Sequence, residues 1–80
     1  MKIVMRDERV FQGTALQIVK AMQDIAFGVD DFTVPEYIAW VTANAKKFEN
    51  VEFKLTGKTD AELAASLVQE MLRTGLTRKG

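Results

Sequence analysis

The chain contains no cysteine and no histidine. Without thiols there is neither a disulfide framework nor a thiolate zinc site, so the fold must be held together by packing. Without imidazole the commonest metal ligand and the commonest general acid and base are both missing, which points away from metal chemistry and from the usual catalytic constellations. No other feature of the composition bears on function as strongly. Proline occurs once and glycine five times, too rarely for collagen-like or low-complexity sequence.

Long hydrophobic runs are also absent. Nothing approaches the roughly 20 apolar residues needed to span a bilayer, and the apolar start of the chain meets Arg6, Asp7 and Glu8 too early for a signal-peptide core. A soluble cytoplasmic protein without a membrane partner is expected. Charge of one sign is lacking too, with 11 basic against 11 acidic side chains. Residues 1–40 carry 4 basic and 6 acidic groups, and residues 41–80 carry 7 and 5. That swing is small beside the basic excess through which dedicated nucleic-acid binders gain affinity.

What is present is an ordinary globular balance, 48% apolar and 28% charged over 80 residues. A chain of this length has room for one domain and one core, and buries only about 60 to 65% of its unfolded surface. Residues 1–80 are therefore expected to form a single domain.

Threonine recurs at the helix starts. Thr14 with Gln17, Thr33 with Glu36 and Thr59 with Glu62 each read as a capping box, in which an N-cap hydroxyl and a side chain three residues on satisfy each other's backbone amides. Apolar residues at Ala15, Ile18, Val19, Met22, Ile25 and Ala26 then predict a first helix over 15–27, with Gly28 as its stop. Pro35 in the first turn supports a second helix over 34–48, with Val34, Tyr37, Ile38, Val41, Ala45 and Phe48 facing inward and Trp40 on the shoulder of that stripe. A third, over 60–74, buries Leu63, Ala64, Leu67, Val68, Met71 and Leu72 and stops at Gly75.

Lys2 to Arg6 and Arg9 to Gln12 read as the strands of a hairpin. A two-residue turn at Asp7-Glu8 would place glutamate where glycine or asparagine is wanted, so the loop is either longer or strained. Val51 to Thr56 alternates strictly, with Val51, Phe53 and Leu55 on one face and Glu52, Lys54 and Thr56 on the other, the period of a strand with one wet side. The expected architecture is α+β in the order ββααβα. The hairpin and strand 51–56 would form a short three-stranded sheet with three helices on one face, and the last five residues would be frayed.

Gly57-Lys58-Thr59 sits between an extended run and a helix, as the end of a phosphate-binding loop does. The position five residues before Gly57 is Glu52 rather than the second glycine such a loop requires. A turn glycine followed by an N-cap threonine accounts for the same residues. Asp30 and Asp31, with Asp24 upstream, match no calcium-loop spacing and read as solvated loop residues near a helix N-terminus. Ser66 lies mid-helix with no histidine to activate it. Neither a catalytic residue, a cofactor nor a metal is therefore expected.

Two functional readings follow. The first is a non-enzymatic protein-interaction module, able to self-associate into a homodimer, with Tyr37 and Trp40 as partner-binding residues, because each pairs a large apolar area with a polar handle. The second is a small nucleic-acid-binding or regulatory protein using Lys46, Lys47, Lys54, Lys58 and Arg73 from the basic second half. Glu49, Glu52, Asp60, Glu62 and Glu70 are interleaved with those cations, which favours the first reading.

Overall fold

A computed structural model describes residues 1–80. The elements are β1 (Lys2–Met5), β2 (Val10–Gln12), α1 (Ala15–Ile25), α2 (Val34–Glu49), α3 (Asp60–Arg73) and β3 (Thr77–Lys79). They form an α+β domain in which the antiparallel sheet has the order β2-β1-β3.

The hairpin pairs Lys2 with Gln12, Ile3 with Phe11 and Val4 with Val10. Its loop has three residues rather than two. The Glu8 amide donates to the Met5 carbonyl at 3.0 Å and the Met5 amide to the Arg9 carbonyl at 2.8 Å, while Glu8 takes the left-handed conformation at φ 71. This is a tight turn followed by one left-handed residue. For a side chain other than glycine that conformation costs about 1 to 2 kcal/mol. The Glu8 carboxylate meets Arg78 on β3 at 2.8 Å.

All three capping boxes are formed in both directions. The N-cap hydroxyls of Thr14, Thr33 and Thr59 accept from the amides of Gln17, Glu36 and Glu62 at 3.1, 3.3 and 3.1 Å. The reciprocal bonds from the threonine amides are 2.9, 2.8 and 3.1 Å. Helix α1 ends at Ile25, two residues short of the predicted end. Gln23, buried beneath the following loop, donates to the carbonyls of Val29 and Phe32 at 2.8 Å each and fastens that loop to the helix. Gly28, at φ 83, belongs to this loop and is not the helix stop.

The third strand is not where the alternation of Val51 to Thr56 places it. That segment is extended but pairs with no strand, and the element order is ββαααβ. The strand that completes the sheet is Thr77–Lys79, within the stretch expected to fray, which pairs with β1 through Ile3 and Lys79, Val4 and Arg78, and Met5 and Thr77. The reason lies at the end of α3. Gly75 adopts φ 80, the Leu76 amide donates back to the Met71 carbonyl at 3.0 Å and the Gly75 amide to Leu72 at 3.3 Å. This pair of bonds closes the helix and reverses the chain toward β1.

Alternation in 51–56 has another source. Phe53 is buried and Val51 and Leu55 are half-buried against the helices, while the backbone of the even residues is held by side chains of α3. The Lys54 amide donates to Glu70 at 2.7 Å, the Thr56 amide to Ser66 Oγ at 3.0 Å, and Arg73 Nη2 donates to the Glu52 carbonyl at 3.2 Å. Period two therefore records one buried face, whether a strand or a helix's side chains hold the edge.

The core gathers Ile3 from the sheet, Ile18, Val19 and Met22 from α1, Tyr37 and Ile38 from α2, and Ala64, Leu67, Val68 and Met71 from α3, with Val29 and Phe53 from the loops. Helix α3 touches α1, α2 and β3, and α1 touches α2, α3 and β2, so these two helices share the centre. The predicted inward stripe of α2 is only partly covered. Val34, Tyr37, Ile38 and Ala45 are buried, Val41 is half-buried and Phe48 is exposed.

Candidate functional site

The incomplete cover over α2 leaves an apolar groove of about 420 Å³. One wall is α2, through Tyr37, Trp40, Val41, Asn44, Ala45 and Phe48, and the other is the hairpin end at Met5, Arg6 and Asp7. Met22 of α1, Met71 of α3 and Leu76 complete it. Three of the chain's four methionines therefore meet in one place, and an unbranched, polarisable side chain adapts to whatever shape it contacts. The volume falls in the range of about 300 to 1,000 Å³ typical of ligand-accepting clefts.

Tyr37 and Trp40 lie one helical turn apart and their rings stack, with centroids 5.9 Å apart and planes inclined by 25°. Tyr37 is 3% exposed and Trp40 is 37% exposed. Burial pushes the Tyr37 phenol up to about 12, so it is a neutral hydrogen-bond donor throughout the physiological range. Phe48 stands 72% exposed at the groove, with the Lys47 ammonium 5.3 Å from its ring centroid. One end is spanned by an ion pair of 3.1 Å between Arg6 of the hairpin and Glu49 at the end of α2.

The structure thus brings both predicted aromatic residues into one cleft. The remaining lining residues are individually unremarkable in sequence, and the one available signal was the excess of apolar surface on α2. Phe48 and Trp40 both extend a stripe already wide enough to cover the core. A second exposed apolar spot lies after α1, where Phe27 is 100% exposed.

The predicted basic set lies along the end of α2, the 51–58 segment and the end of α3. Lys46 approaches Glu52 at 3.7 Å, and Arg73 Nε holds Glu70 at 2.8 Å. Hydrogen bonds from the Arg73 guanidinium and then from the Lys54 amide lower the Glu70 carboxyl to about 2, and Glu70 in turn raises Arg73. Lys58 and Thr59 direct their amides at the Glu62 carboxylate, both at 3.1 Å. These bonds hold Glu62 below its ordinary value. The helix N-terminus at Gly57-Lys58-Thr59 is thus already occupied by the chain's own carboxylate, and a Cβ on Gly57 would fall 2.6 Å from Glu62 Cβ.

No group of three or more acidic side chains is arranged to hold a metal ion, and no helix is long and apolar enough to cross a membrane. Comparison with protein families, with curated proteins and with solved structures returns no match to this chain.

Proposed function

We propose that this chain is a non-enzymatic protein-interaction module that seats large apolar side chains of a protein partner in the groove between α2 and the hairpin. The observation that carries the reading is the junction of the Tyr37 and Trp40 stack with Met5, Met22 and Met71 around one open apolar cleft. Aromatic residues with a polar handle supply large contact area at small entropic cost, and methionines let the cleft adapt. The paired Arg6 and Glu49 form a polar rim, and a desolvated centre with a polar border is how protein interfaces are organised.

Trp40 is the chain's single tryptophan, so its emission reports directly on occupancy. A random peptide library panned against the wild-type chain should enrich sequences with spaced large apolar anchors. Those peptides should shift Trp40 emission and lose binding to Val41→Glu, a substitution inside the groove. Enrichment of the same peptides by Val41→Glu would sink the proposal. So would a groove that takes up a hydrophobic dye yet selects no peptide, since that outcome assigns the cleft to a small apolar molecule.

A further inference from the structure

Each extended residue directs its N–H and C=O to one side of the chain, and successive residues alternate sides. In the segment 51–56 one edge faces α3, whose side chains hold it at three points, the Glu52 carbonyl and the Lys54 and Thr56 amides. On the other edge the Val51 amide donates to the Ala45 carbonyl at 3.2 Å, whereas the N–H and C=O groups of Phe53 and Leu55 have no hydrogen-bond partner within the chain. Backbone groups of this kind are rarely left unpaired near a buried residue, and Phe53 is 8% exposed. A row of free groups on extended backbone is also a template for another strand. The sheet's own edges, β2 and β3, have 3 residues each, and β3 carries Arg78 and Lys79; short length and cations blunt such edges. The 51–56 edge lacks proline and is longer.

We propose that two copies of this chain pair through the free edge at Phe53 and Leu55, antiparallel, about a two-fold axis at Phe53. The charge pattern selects both the occupant and the register. Directly opposed residues in an antiparallel pair exchange both backbone bonds at alternate positions, so the free odd residues must face odd residues. With Phe53 opposite the partner's Phe53, both bonds are exchanged there; Val51 lies opposite the partner's Leu55 and offers only its carbonyl, since its amide donates to Ala45 at 3.2 Å, and Glu52 lies opposite the partner's Lys54. By symmetry that ion pair forms twice. Shifting the register to set Phe53 opposite the partner's Leu55 places Lys54 against the partner's Lys54, which is repulsive. Lys54 makes no ion pair within its own chain, and Glu52 has only the 3.7 Å contact with Lys46. The segment is thus complementary to itself in one register. None of its residues lines the groove, so the pairing is independent of the binding proposed there.

Sedimentation equilibrium on the full chain tests this. The wild type should show a concentration-dependent monomer–dimer equilibrium. Lys54→Glu and Glu52→Lys should each weaken it by roughly tenfold or more, because either change sets like charges opposite each other at both ends of the pairing. Combining Glu52→Lys with Lys54→Glu in one chain should restore it. All of these side chains are exposed, and far-UV circular dichroism checks that each variant remains folded. The chain has no cysteine of its own, so disulfide capture reads the register. An equimolar mixture of Glu52→Cys and Lys54→Cys should cross-link under mild oxidation. Lys54→Cys alone, which reports the rejected register, should cross-link far less. A monomer at every concentration, a dimer indifferent to the charge variants, or dominant cross-linking of Lys54→Cys alone would each overturn the proposal.

Discussion

Glu70 on α3 accepts the backbone amide of Lys54 at 2.7 Å, and through that bond a helix side chain does for residues 51–56 what a neighbouring strand does in a sheet. Arg73 completes the latch by binding the same carboxylate at 2.8 Å and the Glu52 carbonyl at 3.2 Å. The segment closes over the core because Phe53 lies beneath it.

The latch makes acid stability depend on Glu70. Its carboxyl is lowered from 4.5 to about 2, first by the Arg73 hydrogen bond and then by the Lys54 amide. A depressed folded value means that the stabilisation is fully present above about pH 4.5 and is lost as pH falls toward about 2. Glu70→Gln should therefore be less stable than the wild type at pH 7, with the difference shrinking across that window. Urea midpoints measured at a series of pH values read the effect. Parallel curves at all pH values would refute it.

Capping contributes measurably in a domain this small. Thr59→Ala removes the hydroxyl that accepts the Glu62 amide at 3.1 Å and should cost about 0.5 to 2 kcal/mol. For a domain of this size each kcal/mol lowers the melting temperature by about 4 to 8 °C. Thr59→Ser should recover most of the loss.

Two glycines separate conformation from space. Gly75 has φ 80 and nothing within 4 Å of an added Cβ, whereas Gly57 has φ 124 and meets Glu62 Cβ at 2.6 Å. Gly75→Ala should cost about 1 to 2 kcal/mol from backbone strain. Gly57→Ala should cost more, since the strain is joined by a clash. Equal denaturation midpoints for the two variants would contradict this account.

The groove and the core should also separate. Phe48→Ser, at an exposed position, should leave stability within about 0.5 kcal/mol while weakening any groove-directed peptide. Met71→Ala, at a buried position, should cost about 2 to 5 kcal/mol. Urea denaturation of both variants, alongside Trp40 emission, distinguishes them.

Truncation after Gly75 tests β3. Leu76 to Gly80 would be dispensable if frayed, but Thr77–Lys79 supplies one of the two strands beside β1. Its removal should lower the denaturation midpoint and expose the amide of Val4, which faces β3, to exchange, while the Ile3 amide, which faces β2, stays protected.

Local chemistry was enough for the helices. Thr14, Thr33 and Thr59 start them because a threonine hydroxyl and a glutamine or glutamate three residues later satisfy amides within a single turn, and no distant residue is required. The left-handed positions at Glu8 and Gly75 are local as well, although only glycine announces itself. Tyr37 and Trp40 could be singled out from residue type and helical spacing.

Strand identity could not be read in the same way, because a strand is defined by its partner. Val51 to Thr56 has the alternation of a strand but is held by Ser66, Glu70 and Arg73, whereas Thr77–Lys79 has almost no pattern and becomes a strand because Gly75 turns it back onto β1. Gathering Met5, Met22 and Met71 beside Tyr37 and Trp40 also required tertiary packing, since those methionines lie on a strand and two different helices. Capping and periodicity act over three or four residues and are written in the chain; pairing and clefts arise only when distant segments meet.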